Sequence, residues 1–204
     1  MNILIDFLPT YLEIDNKEYE INSDFRTSIL FELMMQDEEL SDEDKLYMTL
    51  DLYYKEFPQN IKEAIEKALW FYKCGKEDIQ MINSSKIPKS IVGDNTKIYS
   101  FEYDADYIYS AFLTQYHIDL QDISYLHWWK FKAMFKSLKE DNEIVKIMGY
   151  RSVDINKIED KAKRKFYKEM KELYKLPEKI NAKEDKKLRE LEEILMNDGD
   201  LSNW

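Results

Sequence analysis

Cysteine, histidine, glycine and proline are all scarce in this chain: 1, 2, 4 and 4 among 204 residues. The single cysteine, Cys74, excludes an intramolecular disulfide and fits a reducing cytoplasm. Two histidines and one cysteine cannot build a zinc site from soft ligands. The shortage of glycine and proline disfavours a many-turned all-β fold and favours long helices. Net positive charge is missing as well. The formal charge is −11, which argues against nucleic acid as the main partner, because phosphate binding draws on clustered cations. The apolar run Ile3-Leu4-Ile5-Asp6-Phe7-Leu8 has no basic flank and is broken by Asp6. It is too short to span a bilayer, so neither a signal peptide nor a membrane segment is expected.

Catalytic signatures are also missing. The chain has no Gly-x-Ser-x-Gly, no phosphate-cradling glycine loop and no Cys/His pairing in a recognisable motif. Cys74 falls at the C-terminal end of a predicted helix, the wrong end to activate a thiol. Glu102, Asp104 and Asp106 lack the ligand count and glycine turn of a calcium loop, and read as acids at a helix N-terminus. No enzyme activity, catalytic residue, metal or cofactor is expected.

What the chain does have is apolar and aromatic bulk, 44% and 14% of residues, enough for a sizeable core. The expected fold is mainly α, a multi-helix domain over 1–176 with a small N-terminal β-hairpin at about 10–21. A loop-rich middle is expected at about 76–98, and a helical appendage and tail over 177–204. Leu12 and Ile14 alternate with Tyr11, Glu13 and Asp15, and Asp15-Asn16-Lys17 supplies turn chemistry for the hairpin.

Asn22-Ser23-Asp24 is an N-cap cluster ahead of Phe25, Ile29, Leu33 and Met34. Ser41 with Asp44 approximates a capping box for a helix that Phe57-Pro58 should close. A third helix runs from Ile61 to Lys73, with Gly75 expected as its C′ glycine. A single turn at Glu77 to Met81 is expected inside the loop-rich middle. Ser100 or Asp104 opens a helix that ends near His117. Asp141 to Met148 gives a short helix ended by Gly149, and one long helix is expected from Asp154 to Tyr174. Its basic side holds Lys161, Arg164, Lys168, Lys171 and Lys175, a face that could meet an acidic partner or the acidic surface of a second copy. A last charged helix is expected from Glu178 to Asn197.

The densest apolar stretch runs from Tyr125 to Leu138. Read as one helix, it carries Trp128, Phe131, Phe135 and Leu138 on one face and Leu126, Trp129 and Ala133 on another. Two faces imply packing on two sides, or one face held out for a partner. The spacing leaves open which of Trp128 and Trp129 is core and which is contact. His127 reads as a hydrogen-bonded packing histidine. Tyr103 and Tyr107, four residues apart, lie off the apolar stripe of their helix and suit a contact role.

Three stretches together resemble a known family. They are Tyr99 to Phe112, then Ile118-Asp119-Leu120 with Tyr125-Leu126-His127-Trp128-Trp129-Lys130-Phe131, then Lys146-Ile147-Met148-Gly149-Tyr150-Arg151. The family is the small protein encoded just upstream of the tape measure gene in long-tailed phages and prophages of Gram-positive bacteria. One departure is His117-Ile118, where the family's turn has a glycine. The resemblance implies a tail assembly chaperone that binds and solubilises the tape measure protein in the host cytoplasm. A structural tail component and a generic helical adaptor are the alternatives. The implied partner is the tape measure protein or another tail protein, with self-association possible in principle, and no nucleic acid or membrane. Tyr103, Tyr107, Trp128, Trp129, Phe131 and Tyr150 are the candidate contact residues.

Overall fold

A computed structural model describes residues 2–76 and 98–177. The expectations for Gly75–Thr96, for the turn at Glu77 to Met81, for the helix Glu178–Asn197 and for the tail fall wholly or mainly outside those residues. Within them the chain is mainly helical with a small N-terminal hairpin, as its composition implies.

Strands β1 (Tyr11–Ile14) and β2 (Lys17–Glu20) pair antiparallel, with Leu12 opposite Tyr19 and Ile14 opposite Lys17. Asp15 and Asn16 form the two-residue loop at φ 50° and 59°. Two positive φ values define a turn whose twist matches the strands, and Asp and Asn tolerate it best after glycine. Leu12, Ile14 and Tyr19 are buried, and β1 lies on the third helix.

Helices α1 (Phe25–Met35), α2 (Asp42–Tyr53) and α3 (Ile61–Tyr72) follow. Each starts at a side-chain cap: Asp24 accepts from Arg26 N, Ser41 from Asp44 N, and Asn60 from Glu63 N. The second helix ends at Tyr53, short of Pro58. Tyr54 is extended and bridges Ile21, while the Asn22 side chain donates to Leu52 O at 2.8 Å. Tertiary pairing thus stops α2 before the proline does.

Then come α4 (Ala105–Tyr116), α5 (Trp128–Lys136), α6 (Glu143–Ser152) and α7 (Lys161–Leu173). His117, where a glycine was expected, adopts φ 55°, and its N–H reaches Leu113 O at 3.1 Å. It makes the left-handed helix end that glycine would make more easily.

Four more helix boundaries differ from expectation. First, α5 starts at Trp128, three residues late, because Tyr125 and Leu126 lie outside the helix, with Leu126 O bonded by Phe25 N, and the His127 ring caps the helix. Leu126 is therefore buried off the helix, and Ala133, expected on a buried face, is exposed. Second, α6 passes through Gly149, whose missing side chain would meet nothing within 4 Å, and ends only at Ser152. Third, the helix expected over 154–174 is two pieces. Asp154 caps a single 3-10 turn, Ile155–Lys157, and Asp160 accepts from Lys163 N to start α7 afresh. Two local caps override a continuous hydrophobic period. Fourth, the left-handed turn after α3 begins at Cys74, φ 58°, with Gly75 one residue later at 72°. Cys74 N bonds Phe71 O and Gly75 N bonds Trp70 O, the paired bonds of a Schellman end.

One contiguous core runs from Leu12 to Ile144. Phe131 sits at its centre. Its ring stacks on Phe25 and on Phe112, each with centroids 4.9 Å apart, and reaches Trp128 at 5.7 Å. Trp128 and Trp129 meet the C-terminal end of α3 from one side. Trp128 Nε1 donates to Tyr72 O at 2.8 Å and Trp129 Nε1 to Phe71 O at 2.7 Å. The Trp128 indole satisfies a carbonyl of the last turn that the helix leaves without an internal partner, and the Trp129 indole is a second donor to Phe71 O beside Cys74 N. Trp129 also fills the space above Gly75, where an added Cβ would stand 2.9 Å from its ring.

Candidate functional site

The six candidate contact residues fall into two groups. Trp128, Trp129 and Phe131 are 0%, 5% and 0% exposed. The expectation of a second face of α5 held out for a partner is thereby corrected: both tryptophans are core residues, because each indole has a carbonyl of α3 to bond. Tyr103, Tyr107 and Tyr150 lie elsewhere, around α4 and α6.

Arg151 and Asp104 organise that region. The guanidinium bonds the carboxylate through both oxygens, at 2.6 and 2.9 Å. Arg151 also donates to Tyr174 O at 2.6 Å and to Ile98 O at 3.1 Å. Asp104 accepts from Ser100 N at 2.8 Å. The pair is almost fully enclosed, with side chains 9% and 2% exposed. Asp104 was expected to be a helix N-terminal acid. It does stand at the N-cap position of α4, yet its carboxylate makes no cap bond and serves Arg151 instead. One arginine thus ties the start of α4, the end of α6 and the residue after α7 together.

Tyr150 supports this clamp. Its ring stacks on Tyr174 with centroids 5.8 Å apart and meets Phe166 and Tyr167 edge-on at 6.1 Å. The Tyr174 hydroxyl donates to Glu143 at 3.3 Å. Partial desolvation, and then the Glu143 carboxylate, push its phenol above the usual tyrosine value, so it stays neutral. Tyr107 on α4 is within electrostatic reach of the same phenol.

Above the clamp, the start of α4 presents an apolar row to solvent, Tyr103 in the preceding turn and Tyr107 in the helix, 53% and 39% exposed. Leu113, 41% exposed, lies six residues past Tyr107 and so about 120° further round the helix. Ile108, Ala111 and Phe112 of the same helix are buried. Tyr103 and Tyr107 are both exposed, off the buried stripe, as their spacing implied. Leu113 was missed, because its position next to Phe112 reads as core. Arg151 was missed too, since nothing in a sequence shows that a buried arginine will find one particular aspartate.

A second feature lies at α7. An open cleft of about 790 Å³ runs between the 3-10 turn and α7, and Lys161, Arg164, Lys165, Lys168 and Lys171 line it. Lys171 Nζ donates to Val153 O at 3.0 Å, and Arg164 Nε to Ile158 O at 2.8 Å. No residue of α7 is buried.

Among the described residues, no helix is long and apolar enough to cross a membrane. No curated protein and no solved structure matches the chain. A match to a family model covers residues 4–176, from ahead of the hairpin to the end of the Arg151 clamp. The family is described as "Bacteriophage Gp15 protein", and this chain belongs to it.

Proposed function

We propose that this phage protein acts in tail morphogenesis as a non-enzymatic chaperone that binds and solubilises the tape measure protein in the host cytoplasm. The observation that carries the reading is the row of Tyr103 and Tyr107, left exposed with Leu113 further round α4, on a helix whose other side is core. Solvent-exposed apolar rows rimmed by polar residues suit a protein partner, and tyrosine offers contact area at low entropy cost. A long helical partner with apolar stripes would lay one stripe along α4. The clamp beneath would hold the row rigid, which lowers the entropy lost on binding. The surplus of negative charge suits solubility of the loaded complex.

Co-expression with the tape measure protein from the same phage tests this reading. The expected result is a soluble complex in which both chains co-purify. A tape measure protein that stays insoluble, with nothing co-purifying, would overturn it. Mass spectrometry of finished particles separates a chaperone, which is absent from them, from a structural tail component, which is present.

A further inference from the structure

The charge of the chain is unevenly placed. Helix α7 carries six cations and two acids, a net +4, within a chain of −11, so the remainder holds −15. Its large apolar side chains also face solvent: Phe166 is 46% and Leu173 68% exposed. They lie seven residues apart and share a side of the helix. Among the described residues, Lys161, Lys163 and Lys168 make no ion pair, and Lys165 reaches only Glu169 of its own helix, at 3.8 Å.

A matching surface stands at α2. Residues 37–51 hold seven carboxylates and one lysine, Lys45. None of those seven acids forms an ion pair among the described residues. The solvent side of α2 sets Asp44 and Asp51 around Tyr47 and Met48, which are 66% and 40% exposed. The spacing i, i+3, i+4, i+7 puts these four on one stripe. Thr49, Leu50 and Tyr53 of the same helix are buried in the core.

The molecule therefore displays two exposed amphipathic helices of similar length, 13 and 12 residues, with opposite charge and comparable apolar content. We propose that α7 of one copy docks on the solvent face of α2 of a second copy. Lys161, Lys165 and Lys168 would meet Glu43, Asp44 and Asp51, and Phe166 and Leu173 would pack on Tyr47 and Met48. The two patches belong to different elements, with α7 packed on α6 and α2 packed on α1 and α3. A contact between two different patches propagates head to tail into a ring or a filament, or closes as a two-fold pair in which α7 of each copy meets α2 of the other. This inference goes beyond the tail-assembly reading and uses other residues than the α4 row. A chain can fail one test and pass the other.

Sedimentation of the full-length protein tests it. At ionic strength on the order of 0.01 M, where screening acts only beyond roughly 30 Å, the wild type is expected to form concentration-dependent oligomers. Near 1 M, where the screening length is roughly 3 Å, it is expected to dissociate. Two neutralised variants are then compared: K161Q/K165Q/K168Q, and E43Q/D44N/D51N. Circular dichroism and melting confirm that each is folded. Each alone is expected to be monomeric, because it keeps only one half of the contact. Mixed in equal amounts, they are expected to form a 1:1 heterodimer and nothing larger, through the one intact pair of patches. A wild type that is monomeric at low salt overturns the proposal, and so do oligomers indifferent to salt. Oligomers retained by either variant alone, or a mixture without heterodimer, overturn it as well.

Discussion

Asp24 and His127 face each other across a single antiparallel bridge, and each caps the helix that follows it. Phe25 N bonds Leu126 O at 2.9 Å and Trp128 N bonds Ser23 O at 2.8 Å, so the first turns of α1 and α5 are zipped together. The Asp24 carboxylate does double duty, accepting from Arg26 N and from Leu126 N, each at 3.0 Å. Residues about a hundred positions apart in sequence thereby share one polar joint.

Asp24→Ala should therefore cost more than an ordinary cap. A lost N-cap costs about 0.5–2 kcal/mol, and a part-buried N–H left without its acceptor adds about 1–3 kcal/mol. Chemical denaturation of the variant is expected to show a loss of about 2–4 kcal/mol. Asp24→Asn, which keeps one acceptor oxygen, should lose less than half of that.

The His127 ring is held as one neutral tautomer. Nδ1 accepts from Trp129 N at 3.1 Å, so the proton is on Nε2, which donates to Pro9 O at 3.1 Å. Burial, the largest influence, lowers its pKa from the ordinary 6.5. Below 6.5 the unfolded chain takes up a proton that the folded chain resists. The contribution to stability is complete above that pH and is lost as pH falls from 6.5 toward the depressed folded value. Melting temperature should fall between pH 7.5 and 5.5 in the wild type. In His127→Asn, which keeps a cap acceptor but does not titrate, that fall should be shallower.

Trp128→Ala and Trp129→Ala should destabilise to a similar degree, by about 3–5 kcal/mol each. Both remove a buried ring and both strip a donor from a carbonyl at the end of α3. Trp→Phe at either site keeps the ring but not the N–H, and should cost about 1–3 kcal/mol. Denaturant midpoints of the four variants decide it. A variant with the midpoint of the wild type would place that tryptophan outside the core.

Arg151→Leu leaves the Asp104 carboxylate enclosed without its counter-charge, and breaking such a pair costs about 3–5 kcal/mol. Removing both charges, in Arg151→Leu with Asp104→Leu, should recover a large part of that loss. A double-mutant cycle on thermal or denaturant unfolding measures the recovery. The Tyr150–Tyr174 stack depends on the same arginine through Tyr174 O. Near-ultraviolet circular dichroism should therefore weaken in the single variant.

Much of the fold was readable in the chain because its signals are local. Alternation at Leu12 and Ile14, the Asp15-Asn16 turn and the caps at Asp24 and Ser41 need no distant partner to act. What escaped depends on contacts between remote segments. The end of α2 at Tyr53 is set by the hairpin through Ile21 and Asn22. The start of α5 at Trp128 is set by residues 23–25. The roles of Trp128 and Trp129 follow from carbonyls more than fifty residues earlier in the chain, which helical spacing does not reveal. Of the candidate contacts, Tyr103 and Tyr107 were placed by their spacing off an apolar stripe. Tyr150 is half-buried and supports the surface from beneath.

The most direct measurement compares the wild type with Tyr103→Ala/Tyr107→Ala/Leu113→Ala in co-expression with the tape measure protein. Truncating exposed side chains should leave the melting temperature almost unchanged. The account predicts a soluble complex with the wild type and none with the triple variant. A folded triple variant that holds the tape measure protein as well as the wild type does would contradict it.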